Sequence, residues 1–350
     1  MYPVQRLNGN FTNDLKKYSE KIIFDAFGSG LINEINLIDQ DRTLSEFPHV
    51  GGNPAKGYTV TLSAAFCQFV WMIGDFTLRY LDYVMTMNVL NRTKTIKDQL
   101  IEANKIILQQ SDELLVEMYS PIVPDHKTAQ KFKAQLARLN KLLSTPDFVN
   151  KLNMELRQAL TLLDKDYQGD PCDLVKDVDM NAGGYGEVVN SLCVKAISFV
   201  LLHELMHVKL GHMAEGKVDD ARSLEQEIEA DFEAYSLMIK NAPEEERFTT
   251  GLGLLLSTYI LILLNPKLDE KADPIHPRPD KRYFGVYDKL MSQNFTTPEL
   301  KAKYRTITIF LFNFWALIFG IPGYPNDLNF YTATPQEITR LRDFLKAYKY

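Results

Sequence analysis

The stretch SFVLLHELMHVKLGH, residues 198–212, puts two histidines and a glutamate inside one of the most apolar runs of this 350-residue chain. A polar group buried without a partner is costly, and a buried unpaired charge costs more. The segment therefore folds only if His203, Glu204 and His207 find compensation, either several buried hydrogen-bonding groups or one cation. Spacing favours the cation. Helical residues four apart lie about 40° apart around the axis, so His203 and His207 share a face. Two imidazoles placed like that can reach one tetrahedral zinc. Glu204, one residue on, can approach a water on the metal without becoming a ligand, which makes HELMH an HExxH motif.

A third ligand is needed. The periodicity predicts a helix from about Val188 to Leu210, stopped by Gly211. It predicts a second from about Ser223 to Asn241, opened by the capping-box pair Ser223 and Gln226 and closed at APEEE. If the two fold back antiparallel, EIEAD (227–231) brings in Glu227 as the third zinc ligand. Asp231, one turn further, is placed to accept from the outer nitrogen of a ligating histidine and fix its tautomer. Ala230 and Ala234 let the helices approach closely. The competing view makes Glu225, Glu227, Glu229 and Asp231 a solvated acidic face and the histidines satisfied core residues. The desolvation cost of HELMH in so apolar a setting weighs against it. His212 does not extend the motif: HExxHxxGxxH would need glycine at Leu210 and histidine at Met213. It is expected as a helix-end cap or a neighbour of the cleft.

Elsewhere the chain reads as mainly helical. A helical pattern near DLKKYSEKIIFDAF is followed by a turn-rich loop, HVGGNPAKG, and by YTVTLS (58–63), which alternates like a short strand. A long apolar helix is expected next, through AAFCQFVWMIGDFTLRYLDYVMTMNVL. Two or three amphipathic antiparallel helices are expected between Thr95 and Asp164, and a linker over 167–187. The expected fold class is mainly α (α+β), with a helical N-terminal region over 1–180 and the metal-site region over 181–350.

A formal net charge of −6 and scattered Lys and Arg give no electrostatic reason to expect nucleic acid as a partner. Three widely spaced cysteines indicate no disulfide framework and fit a reducing cytoplasm. The N-terminus lacks the apolar core of a secretory signal. The apolar runs 251–265 and 306–321 are 15 and 16 residues long. Both fall short of the roughly 20 residues of a bilayer span, so they are expected as buried core helices.

HELMHVKLGH followed by EIEAD resembles the gluzincin zinc peptidases. Within them it is similar to the Lit phage-exclusion proteases and, next, to the ImmA/IrrE-type proteases. PIHPRPDKR (274–282) resembles the HPxxxxR segment found after the glutamate helix in several of these families. The long helical N-terminal half and the size favour the Lit-like group. The resemblance implies a zincin-like core with a small sheet, and Zn2+ held by His203, His207 and Glu227. It makes Glu204 the general base and Asp231 the anchor behind a ligand. His276 and Arg282 match the HPxxxxR positions and are candidates to orient the site or stabilise an oxyanion; packing at a proline turn and a surface ion pair are the alternatives. The implied activity is hydrolysis of a peptide bond in an intracellular protein, in the setting of phage defence. A non-catalytic zincin fold used as a binding module and a membrane-embedded zinc protease are the competing classes. An intact Glu204 argues against the first of these, and the short apolar runs against the second. Substrate strands in zincins commonly add to a sheet edge, for which YTVTLS or another strand before the motif helix is a candidate.

Overall fold

Thirteen of the eighteen residues of α5 (Arg247–Leu264) are buried, and the helix packs closely against the motif helix α3 (Tyr185–Lys209). The computed structural model describes residues 32–38, 48–53, 57–90, 108–119, 125–130, 133, 157, 159–161, 185–215, 218–269, 274–325, 327–328 and 333–348. The other described strands and α-helices are β1 (Ile32–Ile38), β2 (His49–Asn53) and β3 (Gly57–Ser63), and α1 (Ala64–Leu90), α2 (Asp112–Tyr119), α4 (Asp220–Asn241), α6 (Pro279–Ser292), α7 (Pro298–Phe319) and α8 (Pro335–Ala347); 3-10 turns span His212–Ala214 and Glu244–Glu246. The fold is mainly α with one small sheet, as the sequence predicts.

The sheet has the order β1-β3-β2, with β1 parallel and β2 antiparallel to β3. YTVTLS is thus the central strand, hydrogen-bonded on both sides. The segment read as a turn-rich loop, HVGGNPAKG, instead contains β2. Its glycines hide the alternation on which a strand prediction rests, whereas pairing to β3 fixes its backbone. Among the described residues β2 is an edge strand, and it lies against α3.

β3 runs directly into α1, which carries Phe66, Phe69, Trp71 and Phe76 into the core. Trp71 Nε1 donates to Asn190 Oδ1 at 3.0 Å and ties α1 to α3, since a buried indole N–H needs an acceptor. α3 crosses α5 at close range where Gly253 faces Lys195; a Cβ on Gly253 would sit 2.7 Å from the Lys195 Cβ and 3.2 Å from the Ala196 backbone nitrogen. α4 folds back along α3, with Ala230 and Ala234 fully buried at the contact. It begins three residues before the predicted start. Asp219 is the N-cap, accepting from the Arg222 backbone N–H at 2.8 Å, in place of Ser223.

The apolar run 251–265 belongs to α5, and 306–321 to α7, where Phe310, Phe312 and Trp315 are buried. By length and composition α3 and α5 are both apolar enough to cross a membrane, and 72% of each apolar window is buried inside the protein. The expected N-terminal helix near residue 20, most of the 95–164 helices, residues 167–184 of the 167–187 linker and the boundary at 180/181 lie outside the described residues. Residues 185–187 of that linker instead open α3, because the helix starts at Tyr185.

The α3–α5 crossing yields a stability test. Gly253→Val should destabilise the protein by about 1–3 kcal/mol, the usual cost of overpacking a tight helix contact, measured as a shift in the urea midpoint.

Candidate metal centre

α3 is apolar on nearly every side, so the position of its polar groups is set by what packs against each turn. His203 and His207 face α4, and Glu227 on α4 faces back. One ligand atom from each of these three residues lies within 4.8 Å of the other two. The two Nε2 atoms are 3.2 Å apart, and Glu227 Oε2 and Oε1 lie 3.2 Å from His203 Nε2 and His207 Nε2. Two imidazole nitrogens and a carboxylate, all aimed at one point, form the donor set a tetrahedral divalent cation takes. Glu227 Oε2 adds a second sign: it is buried and makes no hydrogen bond. A buried carboxylate oxygen that has charged neighbours but no hydrogen bond fits a group that coordinates a cation.

Both outer imidazole nitrogens are tied off. Asp231 Oδ1 lies 2.9 Å from His203 Nδ1, so the proton of a neutral His203 belongs on Nδ1 and the lone pair on Nε2 faces the cluster. His207 Nδ1 lies 3.1 Å from His212 Nδ1, and His212 Nε2 lies 2.9 Å from Glu229 Oε2. His212 is buried and belongs to the 3-10 turn 212–214 that follows α3. It neither caps the helix carbonyls nor joins the ligand cluster.

Arg282 enters from the first turn of α6. Its Nε and Nη2 both donate at 2.7 Å to the two oxygens of Asp231, and its Nη1 lies 3.4 Å from Glu227 Oε2. The guanidinium is only 11% exposed, so it is no surface ion pair; it holds Asp231, which in turn holds His203. α6 starts at Pro279, and the preceding Arg278 is fixed by a fork to Asp280 at 2.6 and 2.7 Å and by the Leu345 carbonyl at 2.6 Å. This anchored proline turn carries His276, whose Nε2 is 3.5 Å from Glu227 Oε1 and whose side chain is 42% exposed.

A cleft of about 480 Å³ opens over these groups. Glu204, His203, Glu227, His276 and Arg282 form its polar floor, Phe66, Phe199, Val200 and Leu261 part of its apolar wall, and Pro48 and His49 its rim at the start of β2. Every residue singled out from the sequence thus lies in or directly behind the cleft. No sequence pattern points to His49, and Glu229 reads from its spacing as part of a solvated acidic face.

The charges interlock. Burial works against a charge on His203, but Asp231 overrides it and carries the imidazolium up to about 9. Asp231 is itself held down at about 2 despite burial, by Arg282 and His203. Glu227 is kept far below the usual carboxylate range by His203, His207 and Arg282, although burial opposes this. Burial raises Glu204 above its ordinary value, with the histidines pulling the other way. Burial lowers His212 below the usual histidine value, offset in part by Glu229.

The sequence profile of the Peptidase U49 family matches residues 60–297. This chain belongs to the Peptidase U49 family. The match begins within β3 and takes in all of the metal-site helices and α6, about two thirds of the chain. No curated protein and no solved structure matches it. Membership makes the chain a peptidase and its substrates proteins or peptides.

Two pH effects follow. The raised pKa of His203 means its ion pair stabilises the metal-free protein fully below about 6.5 and that this contribution is lost as pH rises through about 9. A metal must displace the proton at His203 Nε2, so metal affinity should strengthen over the same window. Calorimetric titration with Zn2+ in buffers of different ionisation enthalpy should record about one proton released per ion near pH 7 and fewer as pH approaches 9.

Proposed function

We propose that this chain is a zinc-dependent endopeptidase whose active site is the cleft over His203, His207 and Glu227. One observation carries the reading: three donor atoms converge within 4.8 Å of one another at a cleft that Glu204 also lines. The His2Glu set is one that zinc adopts in peptidases, with a fourth position left for water or substrate. The same family includes the Lit protease, in line with the resemblance of HELMHVKLGH and EIEAD.

His203, His207 and Glu227 would hold the zinc, which would supply Lewis acidity toward a water and the scissile carbonyl. The remaining chemistry belongs to the side chains. Glu204 takes the proton of the attacking water and returns it to the departing amine; a raised pKa suits both halves of that task. Asp231 keeps His203 in the tautomer that presents Nε2, and Arg282 keeps Asp231 in place. Arg282 is committed to these carboxylates, so His276, partly exposed at the cleft, is the better-placed donor to the oxyanion. An extended substrate would pair with the outer edge of β2, whose Pro48 and His49 border the cleft, with side chains resting on the apolar wall.

We assign the activity to the cytoplasm and to an intracellular protein target, with phage defence as the setting that the resemblance suggests. The buried free thiols Cys67 and Cys193 are in keeping with a reducing compartment.

Elemental analysis of the purified protein should find about one zinc per chain and a loss of it in Glu227→Ala; no uptake by the wild type, even with Zn2+ supplied, would sink the proposal. Glu204→Gln should keep both metal and fold while peptide cleavage falls by roughly 100-fold or more, the usual range for removing a general base. Cleavage by that variant at the wild-type rate would contradict the role given to Glu204.

A further inference from the structure

We infer that His212, oriented by Glu229, is a positioning residue that sets the tautomer of His207 and so its capacity to bind the metal. The inference rests on the metal site proposed above. It begins from a requirement. His207 can present a lone pair at Nε2 only if its proton sits on Nδ1, and something must favour that tautomer in a buried site.

The geometry supplies it. Gly211 adopts a left-handed conformation, φ 80° and ψ 8°, which ends α3 and turns the chain back under its last turn. His212 thereby lies beneath His207, with Nδ1 facing Nδ1 at 3.1 Å. Two ring nitrogens at that distance share one proton, and the partner on the far side of His212 decides whose it is. Glu229 Oε2, a carboxylate oxygen, can only accept, so the His212 proton sits on Nε2. His212 Nδ1 is then an acceptor, His207 Nδ1–H donates to it, and the lone pair at His207 Nε2 is left facing His203 and Glu227. The reverse polarity would place the His207 proton on Nε2, pointing into the ligand cluster.

Glu229 is itself fixed. Arg222 Nη1 lies 3.2 Å from Glu229 Oε1, and the other guanidinium nitrogens bind Glu215 at 2.8 and 3.0 Å. Arg222 therefore joins the turn after α3 to the first turns of α4. The result is one supporting chain behind each histidine: Arg282–Asp231 behind His203, and Arg222–Glu229–His212 behind His207.

The test compares wild type, His212→Ala, His212→Gln, Glu229→Ala and the double variant His212→Ala/Glu229→Ala, each confirmed folded by circular dichroism. Competitive Zn2+ titration should show affinity about 10–100-fold weaker in His212→Ala, the range for losing a partner behind a ligand. His212→Gln, which keeps an acceptor for His207 Nδ1–H, should recover most of that loss. The double variant should be no weaker than His212→Ala alone, because Glu229 acts through His212. The 15N shifts of the His207 ring in the metal-free wild type at pH 8 should report the proton on Nδ1, and a mixture of tautomers in His212→Ala. Affinity within about twofold of wild type in His212→Ala overturns the inference, as does a His207 proton on Nε2 in the wild type. A wild type that takes up no Zn2+ would instead defeat the metal reading, while the 15N shifts would still decide the tautomer.

Discussion

The Asp231–Arg282 fork is the contact on which the site depends. A guanidinium, two carboxylates and an imidazole lie together where water is largely excluded, and none of them is tolerable there alone. Together they compensate one another: the two carboxylates offset Arg282 and the proton that His203 attracts. This mutual dependence fixes three elements at once, because Asp231 comes from α4, His203 from α3 and Arg282 from α6. A shift of any one helix would strand a charge. The helices are held by apolar packing elsewhere, but their register around the cleft is an electrostatic matter.

The motif helix makes that possible by being almost featureless. α3 is apolar along most of its circumference and is enclosed by α1, α4, α5 and β2. Its polar groups are therefore specified by their neighbours alone, and each of the three on HELMH has a distinct one. His203 meets Asp231, His207 meets His212, and Glu204 meets the cleft.

Much of this was legible before any coordinates. Two histidines four apart, a glutamate between them and Glu227 with Asp231 on a separate helix are defined by helical spacing, which is local and robust. Ala230 and Ala234 announce the close crossing for the same reason. What spacing could not reveal depended on contacts between distant parts of the chain. β2 reads as a loop in the sequence because its Gly-Gly pair carries no alternation, and its strand character comes from β3. Glu229 lies about 200° around α4 from Glu227, on the side that reads as solvated, and only the turn at Gly211 brings His212 to it. Arg282 looked like a possible oxyanion donor because a sequence shows a charge without showing what already holds it.

Arg278 extends the influence of the site to a part of the chain that no motif marks. It reaches the Leu345 carbonyl, and its fork to Asp280 sets the start of α6. The last turn of α8 is thus a buttress for the proline turn that displays His276 and for the helix that delivers Arg282. Trimming the chain by even a single helical turn at this end, more than sixty residues beyond the HPxxxxR segment, would loosen the wall of the cleft from behind. A backbone carbonyl well beyond residue 297, where the family match stops, thus takes part in shaping the cleft.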